Sequence, residues 1–587
     1  MKYPYLNLIK NTLLGLLLLL PTLGFSDSFT AVVSGDWSSS LTWGGTVPPD
    51  TITGEDNVII SAGVTVNMDV DVMLDNQLAT INLIGSLESP DNTLNVSSGT
   101  VLGTGNLEVA ELIIGAQGTV ATTGMISSDI LESASTLVVL SASTQIASEL
   151  VLSGGVFQIG NTGSLMLDSD ATIEIAGGAL QANGELIASG MYNLRYTGSS
   201  TNTGDETTAG VIANLTVDLE NEADTLTLDG DLTVNDTLSL ETGILSMTDF
   251  DLTLNGMAQA EGSSSISGSA NSNLILNGVD SMGTIIFADG GEMVDTLIVN
   301  IGGNGSVSLE SSLLVNSHLK LESGQLIIND NDLRISVDGN IEGASINSFI
   351  NTSGEGHLVM TIESGGGAQL FPVGSDFGPF QCLLTQNIVT TDTTSIKVRV
   401  MPGVFSEGES GVDLTVTESL VDHTWFVSKA DTDDEVNLDF ELFWNADAEV
   451  NGFDNDNCFI SHYVDDNWDV SVSASAESHT NGQFSITREN IVSLSPFRIK
   501  DKTTTSNTEK AVTDIVIFPN PAIDILTLEL PSGHDYQEAE ILDLNGNVVQ
   551  KVRLSETNYS RIQIGELPPA HYLLRIDQRI ERPFVKK

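Results

Sequence analysis

The chain has 587 residues, with 79 Asp and Glu against 21 Lys and Arg, and a formal net charge of −58. Nucleic-acid binding is excluded, because neutralising phosphates requires clusters of Lys and Arg, and binding to an anionic membrane is disfavoured for the same reason. Aromatic residues make up only 5% of the chain, whereas glycine occurs 55 times. This composition is typical of an extracellular, β-rich protein with room for about three or four domains.

Residues 1–26 have the three parts of a signal peptide. Lys2 and Lys10 supply positive charge, a leucine-rich run follows, and the small residues Gly24 and Ser26 suit a signal peptidase. The apolar run is shorter than the roughly 20 residues that span a bilayer. No cysteine lies near Ser26 to carry a lipid anchor. We predict cleavage near Ser26 and no membrane span in the mature chain.

Two tryptophan-containing motifs open the mature chain, Val33-Ser34-Gly35-Asp36-Trp37-Ser38 and Leu41-Thr42-Trp43-Gly44-Gly45. They resemble the start of an extracellular domain family named for its eight glycines. That family is found on cell-surface proteins and at the mouths of β-helices. Trp37 and Trp43 are either sugar-stacking platforms or the cap of a β-stack, and capping is the favoured alternative.

An internal repeat lies within a long region of short strands, residues 78–337. Asp229–Asn255 matches Glu310–Ser336 without a gap at an offset of 81. Strands start at Leu232, Leu238, Leu245 and Leu252, so that three steps make a turn of 20 residues. A turn of three short strands is typical of a parallel β-helix.

We therefore predict a right-handed, parallel β-helix-like solenoid over residues 27–354, with its first segment as a cap. Equivalent leucines of the repeat, Leu232, Leu252, Leu313 and Leu333, are expected to point inward on one stacked face. Asparagines follow strands at Asn235, Asn255, Asn277 and Asn316. They either form a hydrogen-bonded ladder along one corner or reflect the ordinary preference of Asn for turns.

Catalytic signals are scarce in the predicted solenoid. Between residues 27 and 354 the basic residues are Arg195, Lys320 and Arg334. A β-helix polysaccharide lyase needs a basic residue to abstract a proton or to stabilise an enolate-like intermediate, and these three are scattered. Carboxylate pairs for glycoside hydrolysis stay possible because Asp and Glu are numerous. No nucleophile-elbow, zinc-protease or phosphate-loop motif is present, so we predict that the protein is not an enzyme.

Residues 355–500 have longer strands and larger apolar side chains, which predict a β-sandwich. Cys382 and Cys458, the only cysteines, lie in this region. In an exported chain they form either a disulfide or two buried thiols. Asp454, Asp456 and Asn457 weakly resemble a calcium loop, although an ordinary Asx turn is the favoured reading. No other cofactor is indicated.

A polar linker, residues 501–512, precedes a last domain over residues 513–587. Alternating apolar and polar residues there predict a small, Ig-like β-sandwich. Asn545-Gly546 between two alternating runs indicates a hairpin turn, since a tight primed turn requires positive φ. Pro519 and Pro521 fix φ and end the preceding strand.

The last domain resembles the C-terminal sorting domain of the Por, or type IX, secretion system of Bacteroidetes. The residues that carry the resemblance are Phe518, Pro519, Asn520, Pro521, Asn545, Gly546 and Tyr572. Ala570-His571 stands where the family usually has a glycine before the tyrosine. The resemblance implies export across both membranes, recognition by the type IX machinery at the outer membrane, and a secreted or cell-surface location. It also implies removal of the tail and, in some members, attachment to surface lipopolysaccharide.

Two functions fit this sequence. We expect a structural or adhesion protein, with surface lipopolysaccharide or an extracellular glycan as possible partners. The alternative is an extracellular carbohydrate-active enzyme, either a polysaccharide lyase or a glycoside hydrolase, on a β-helix scaffold. An exposed cleft with two carboxylates about 5–10 Å apart and aromatic walls would favour the enzyme.

Overall fold

The computed structural model describes residues 26–135, 137–362, 367–387, 394–430, 435–502, 515–530, 536–544, 546–554, 559–576 and 580–587. The predicted signal peptide, except for Ser26, and most of the predicted linker lie outside these residues. The protein is all-β, with 56% strand and 2% helix, and a β-solenoid of about 15 turns occupies residues 51–374. The chain divides into two compact units, residues 1–502 and 503–587.

In the part of the chain that the structure describes, the first unit begins with 37 strands that belong to the solenoid and its cap. They are β1 Ser28–Ala31, β2 Gly35–Asp36, β3 Thr51–Ile52, β4 Asn57–Ile60, β5 Thr65–Asn67, β6 Val72–Leu74, β7 Thr80–Leu83, β8 Ser86–Val96, β9 Thr100–Gly103, β10 Asn106–Ile114, β11 Thr119–Thr122, β12 Ile126–Ser133, β13 Leu137–Leu140, β14 Ser143–Leu152, β15 Val156–Ile159, β16 Ser164–Leu167, β17 Thr172–Ile175, β18 Ala179–Ala182, β19 Glu185–Ala188, β20 Met191–Tyr196, β21 Thr201–Asn202, β22 Val211–Asp218, β23 Thr225–Thr227, β24 Leu232–Val234, β25 Thr237–Thr242, β26 Ile244–Ser246, β27 Leu252–Leu254, β28 Met257–Ala260, β29 Ser265–Ser267, β30 Asn273–Leu276, β31 Thr284–Ile285, β32 Met293–Asn300, β33 Ser306–Leu309, β34 Leu313–Ile327, β35 Leu333–Ile335, β36 Asn340–Glu342 and β37 Ser348–Asn351.

The described residues of the rest of the first unit hold 14 further strands. They are β38 Leu358–Ile362, β39 Gln369–Phe371, β40 Val373–Ser375, β41 Gly378–Pro379, β42 Cys382–Gln386, β43 Thr394–Pro402, β44 Leu420–Lys429, β45 Leu438–Asn445, β46 Glu449–Val450, β47 Cys458–Val464, β48 Asn467–Trp468, β49 Glu477–Ser478, β50 Gln483–Ile491 and β51 Pro496–Asp501. The unit also has 3-10 helices at Asp205–Thr208, Leu414–Val416 and Ala446–Ala448.

Parallel pairing builds the solenoid with three strands per turn in its repeat region. β24 pairs with β27 and β25 with β28, always in parallel. Leu232 lies beside Leu252, and Leu313 beside Leu333, as the repeat predicts. All four leucines are buried. Their inward orientation is therefore confirmed, and it arises because side chains alternate along each strand while turns of nearly equal length stack. The prediction that all four form one stacked face is wrong, because the column of Leu232 and Leu252 continues to Leu319, whereas Leu313 and Leu333 lie in a different column.

Two glycines at equivalent positions of the sequence repeat adopt a conformation that favours glycine. Gly243 and Gly324 have φ of 97° and 81°, a conformation that L side chains rarely adopt. A Cβ atom on Gly324 would lie 2.8 Å from the carbonyl oxygens of Gly305 and Ile301, in the turn before it. The chain therefore needs glycine where one turn passes closely over another.

The N-terminal segment closes the first turns of the solenoid. Trp37 and Trp43 are buried and pack edge to face, with ring centroids 5.2 Å apart. The Trp43 indole Nε1 donates to the carbonyl oxygen of Trp37 at 2.8 Å. Because neither ring is open to solvent, neither forms a sugar-stacking platform. Both rings are part of the cap, which is the alternative that the sequence analysis favours.

A β-sandwich continues directly from the last turns. β38 pairs in parallel with β35 of the solenoid and antiparallel with β43 of the sandwich. One sandwich sheet contains β43, β44, β51 and β47, and the other has the order β39-β42-β45-β50-β49. Phe440 and Phe497 join the two sheets, with ring centroids 4.6 Å apart. β37 also pairs in parallel with β40, so the solenoid and the sandwich interleave around residue 354.

The second unit is a small sandwich with a separate core. Its strands are β52 Val516–Phe518, β53 Ile525–Glu529, β54 Glu538–Leu542, β55 Val548–Arg553, β56 Tyr559–Gln563, β57 Ala570–Ile576 and β58 Ile580–Lys586. They form two antiparallel sheets, β52-β53-β56 and β55-β54-β57-β58. Leu526 and Leu528 of one sheet share a hydrophobic cluster with Ile541 and Leu574 of the other.

Candidate functional site

A ladder of amide side chains runs along one corner of the solenoid. The Asn255 Nδ2 donates to Asn235 Oδ1 at 2.8 Å, and Asn277 Nδ2 donates to Asn255 Oδ1 at 3.1 Å. The next two turns continue it through Asn300 and Ser323, at 2.8 and 2.9 Å. The asparagines at this corner therefore form a ladder, in which the amide side chains hydrogen-bond to one another.

The prediction that Asn316 is the fourth member of the ladder is wrong. Its Nδ2 donates to Asp295 Oδ1 at 3.3 Å, at a different position around the turn. The ladder interval lengthens from 20 and 22 residues to 23 residues after Asn277, so Asn300 and Ser323 occupy the corner instead.

One carboxyl group lies inside the solenoid. Glu206 is only 3% exposed, in the 3-10 helix Asp205–Thr208. The Tyr196 hydroxyl and the Gly204 amide donate to its Oε1 at 2.7 and 2.6 Å. Burial raises the pKa of Glu206 above its ordinary value. No substrate can reach a group enclosed in this way, so the cluster belongs to the core.

A buried Ser–His contact in the sandwich also belongs to the core. Ser375 Oγ lies 2.9 Å from His423 Nε2, and both residues are buried. Phe380 stacks on the His423 ring at 3.6 Å between centroids. Burial lowers the pKa of His423 to about 3. A nucleophile–base pair needs access to substrate, which this packing denies.

Ionic contacts gather where the solenoid meets the sandwich. Lys397 Nζ lies 2.9 Å and Arg334 3.0 Å from Asp332 Oδ2, and His357 Nδ1 lies 3.4 Å from Asp332 Oδ1. Burial acts to raise the pKa of Asp332, but the hydrogen bond and charge of Lys397 hold it below its ordinary value. Arg334, on the solenoid, is therefore part of this network of ionic contacts.

A small cavity of about 120 Å³ lies beside this network. Its lining residues are Glu355, Arg399, Met401, Pro402, Gly403, Phe405, Glu409 and Phe426. The buried guanidinium of Arg399 lies 4.3 Å from the Phe426 ring centroid and 3.0 Å from Glu355 Oε2. The cavity thus combines two carboxylates with aromatic walls, but pockets for small ligands are usually about 300–1,000 Å³.

The weak calcium candidate is built as a turn. The Asp456 amide donates to Asp454 Oδ1 at 3.1 Å, and Asn457 Nδ2 donates to the carbonyl oxygen of Lys502 at 3.1 Å. The Asp454 amide in turn donates to Asp501 Oδ2. Among the described residues, no group of three or more His, Cys, Asp or Glu side chains is arranged to hold a metal ion. Calcium binding here stays a prediction.

Cys382 and Cys458 are two free, buried thiols. Cys382 lies on β42 and Cys458 on β47, which belong to different sheets of the sandwich. Burial raises the pKa of both thiols, to about 12 for Cys458. The structure thus has the second of the two predicted alternatives, in which both cysteines serve as small core residues.

In the C-terminal unit, two of the sorting-motif residues converge on the last strand. Asn520 Oδ1 accepts a hydrogen bond from the Val585 amide at 2.9 Å, and Asn520 Nδ2 donates to the Pro583 carbonyl oxygen at 3.3 Å. The buried Tyr572 ring stacks on Phe584 at 5.7 Å. Asn520 and Tyr572 therefore hold β58 in place from two sides.

The remaining motif residues surround this arrangement. Pro519 and Pro521 flank Asn520, and both follow cis peptide bonds. Phe518 ends β52 and is partly exposed. Gly546 has φ of 76°, as the predicted hairpin turn requires. Asn545 lies outside the described residues.

An ion triad, which the sequence did not predict, lies on the larger sheet of this unit. The Glu540 carboxylate is bound by Lys551 Nζ and by the Arg575 guanidinium, the latter at 2.7 Å. Hydrogen bonds from these side chains, Lys551 first, lower the pKa of Glu540. The three residues face one another across neighbouring strands, a relation that only the strand order reveals.

Comparison with protein families identifies this unit. Residues 516–587 match the family described as the secretion system C-terminal sorting domain. No curated protein and no solved structure matches the chain. This is the type IX sorting domain, which marks proteins exported to the cell surface or secreted and which interacts with the type IX secretion machinery. Among the described residues, no helix is long and apolar enough to cross a membrane.

Proposed function

We propose that this exported protein is a structural or adhesion protein of the cell surface whose first unit is not an enzyme. The observation that carries the proposal is the solenoid of about 15 turns. Neighbouring turns in a β-stack lie about 4.8 Å apart, so the stack is about 70 Å long. Such a rigid rod suits presentation of a binding surface away from the outer membrane.

The outer side chains of the solenoid support a passive role. Along the ladder corner, amides such as Asn255 and Asn277 bond to the turns above and below. Thr80 Oγ1 similarly donates to Asn57 Oδ1 one turn earlier, at 2.8 Å. Polar groups that satisfy one another across turns stiffen the rod.

The rival function, a carbohydrate-active enzyme, draws its support from the cavity of Glu355 and Glu409. Two carboxylates and the aromatic rings of Phe405 and Phe426 are the groups that sugar hydrolysis uses. However, Glu355 is engaged by Arg399, and the cavity is smaller than ordinary ligand pockets. We therefore prefer adhesion, with surface lipopolysaccharide or an extracellular glycan as the proposed partner.

Two measurements on the mature protein test this proposal. Cells that display the full chain should adhere to glycan-coated or lipopolysaccharide-coated surfaces better than cells that display a solenoid-disrupted variant. The purified protein should release neither reducing nor unsaturated sugar from a polysaccharide panel. Sugar release that disappears in a Glu355→Gln variant would instead establish the rival.

A further inference from the structure

The two sheets of the C-terminal unit present different outer faces. On the larger sheet, Glu538 lies opposite Arg553 and Glu540 lies between Lys551 and Arg575, so these outward positions carry charged side chains. Among the described residues of this sheet, the large exposed apolar ones, Val548 and Val549, are confined to the start of β55. This is the pattern expected of a sheet with one face in solvent, where inward positions are apolar and outward positions polar.

The smaller sheet departs from this pattern. Val516, Phe518, Ile525 and Tyr559 are 46%, 42%, 36% and 53% exposed. Inward positions on the same strands, such as Leu528, are buried. We call these four exposed residues the outer apolar face.

The strand register brings the four residues onto one surface. Val516 pairs with Glu529, which in turn pairs with Tyr559. Phe518 pairs with Thr527, and Ile525 precedes Thr527 by two residues, so Ile525 lies diagonally beside Phe518. Large apolar side chains gathered on an exposed sheet face are typical of protein interaction sites.

We propose that the outer apolar face is the surface by which the sorting domain docks on a protein of the type IX secretion machinery. The inference rests on the export role of this unit. It is continuous with the sorting motif, because Phe518 belongs to both. Asn520 and Tyr572 use their side chains to hold β58 and so preserve the fold, which leaves the exposed groups to make the contact.

The chemistry of the face defines its partner. The Tyr559 hydroxyl donates to Glu529 Oε1 at 2.7 Å, and this hydrogen bond partly replaces the water that docking would remove from the carboxylate. Arg561 is exposed and pairs with Thr527 at the margin of the face. The partner surface should therefore have an apolar centre and an acidic rim, as in many protein interfaces with an apolar core and a charged periphery.

Full-length variants in a type IX-competent bacterium test the inference. Phe518→Ser with Ile525→Ser should lower the surface-displayed fraction about tenfold, since tenfold in binding corresponds to about 1.4 kcal/mol. The matched control is Val548→Ser with Val549→Ser, which removes two side chains of similar exposure, 40% and 44%, from a strand of the other sheet. Phe518→Leu with Ile525→Val keeps the apolar character and should restore display.

A second measurement keeps the test decisive if the serine variant does not fold. A photoreactive amino acid replaces Phe518 or, as control, Val549 in the otherwise unchanged chain. Crosslinking from position 518, but not from 549, to an outer-membrane component of the secretion machinery is expected. Crosslinking only from 549, crosslinking from 518 to lipopolysaccharide alone, or normal display of a folded serine variant would overturn the inference.

Deletion of residues 513–587 separates this inference from the export role. If the deletion blocks display while the folded serine variant is displayed normally, the docking face is wrong and the export role stands. If the deletion itself leaves display unchanged, the export role fails as well.

Discussion

The solenoid and the C-terminal unit are both built of β-strands, yet they are stabilised in different ways. In the solenoid, one contact is repeated many times: leucine stacks on leucine, and Asn on Asn, about 20 residues further along the chain. In the C-terminal unit, a few unlike contacts hold seven strands, among them the Asn520 bonds to β58 and the Glu540 ion triad.

The charge of the two regions differs as well. Eight of the 21 Lys and Arg residues fall within residues 513–587, whereas only Arg195, Lys320 and Arg334 fall between residues 27 and 354. The solenoid is thus an acidic surface, which favours solubility. The C-terminal unit balances its charges locally and can bring an apolar face against another protein. In the proposed division of roles, the repeated region is the scaffold and the non-repeated unit is the part that the export machinery recognises.

Removing the C-terminal unit should have the largest effect, which is a loss of surface display. It also tests whether the first unit folds without the second. Truncation after Lys510 is expected to leave the first unit folded but in the periplasm, with loss of nearly all surface display. The two units have separate hydrophobic cores, so the first does not need the second to fold. Cell fractionation with antibodies to the first unit measures the outcome, and a thermal melt of the truncated protein checks its fold.

Fusion of Thr503–Lys587 to an unrelated exported protein is the complementary control. The fusion should reach the surface only in cells with a working type IX system. Display of the truncated chain at wild-type levels would contradict the division of roles between the two regions.

A charge inside the solenoid should have the next largest effect. Leu252→Asp places a carboxylate between Leu232 and Leu274 and should lower the free energy of unfolding by about 3 kcal/mol or more. Thr253→Asp, on the outward side of the same strand, is the matched control and should change it by about 1 kcal/mol or less. Denaturant unfolding of both variants decides whether inward and outward positions differ as the structure requires.

Much of the solenoid could be predicted because its period of about 20 residues is visible as a repeat in the sequence. The 20-residue turn correctly paired Leu232 with Leu252 and Leu313 with Leu333 as inward neighbours, although the offset of 81 does not place the two pairs in one column. Asn316 shows the limit of that reasoning. A constant period cannot anticipate turns that lengthen by a residue or more, so the corner continues at Asn300 and Ser323, while Asn316 falls in a different column.

The outer apolar face and the ion triad could not be predicted for a different reason. Alternation shows which residues share a side of a strand, but not which strands become neighbours. Phe518 and Ile525 meet only through the pairing of β52 with β53, and Glu540 meets Arg575 only through the pairing of β54 with β57. The motif around Asn520 can be recognised from the sequence because its residues are contiguous in the chain.

Breaking the asparagine ladder should have a smaller effect than burying a charge. Asn255→Ala removes one donor and one acceptor from the ladder, the bonds to Asn235 and Asn277. The expected loss is about 1–3 kcal/mol in the free energy of unfolding, because both neighbours lose a partner. Asn316→Ala, which removes a single 3.3 Å bond outside the ladder, is the control and should cost less. Equal losses in the two variants would mean that the ladder adds no stability of its own.

Replacing the buried Glu206 should have the smallest effect on stability, and this effect should depend on pH. Burial raises the pKa of Glu206 in the folded protein above its unfolded value, so the folded state binds the proton more tightly. The associated stability is present at pH below the unfolded pKa and is lost as pH rises through the folded pKa.

Glu206→Gln keeps an oxygen that can accept from Tyr196 and Gly204 but cannot ionise. The variant should therefore melt at a higher temperature than the wild type at pH 8, and the difference should shrink as the pH falls toward 4. Melting curves across this range, with exposed Glu222→Gln as control, measure the effect. A difference that is independent of pH would show that the carboxyl group inside the solenoid does not change its protonation on folding.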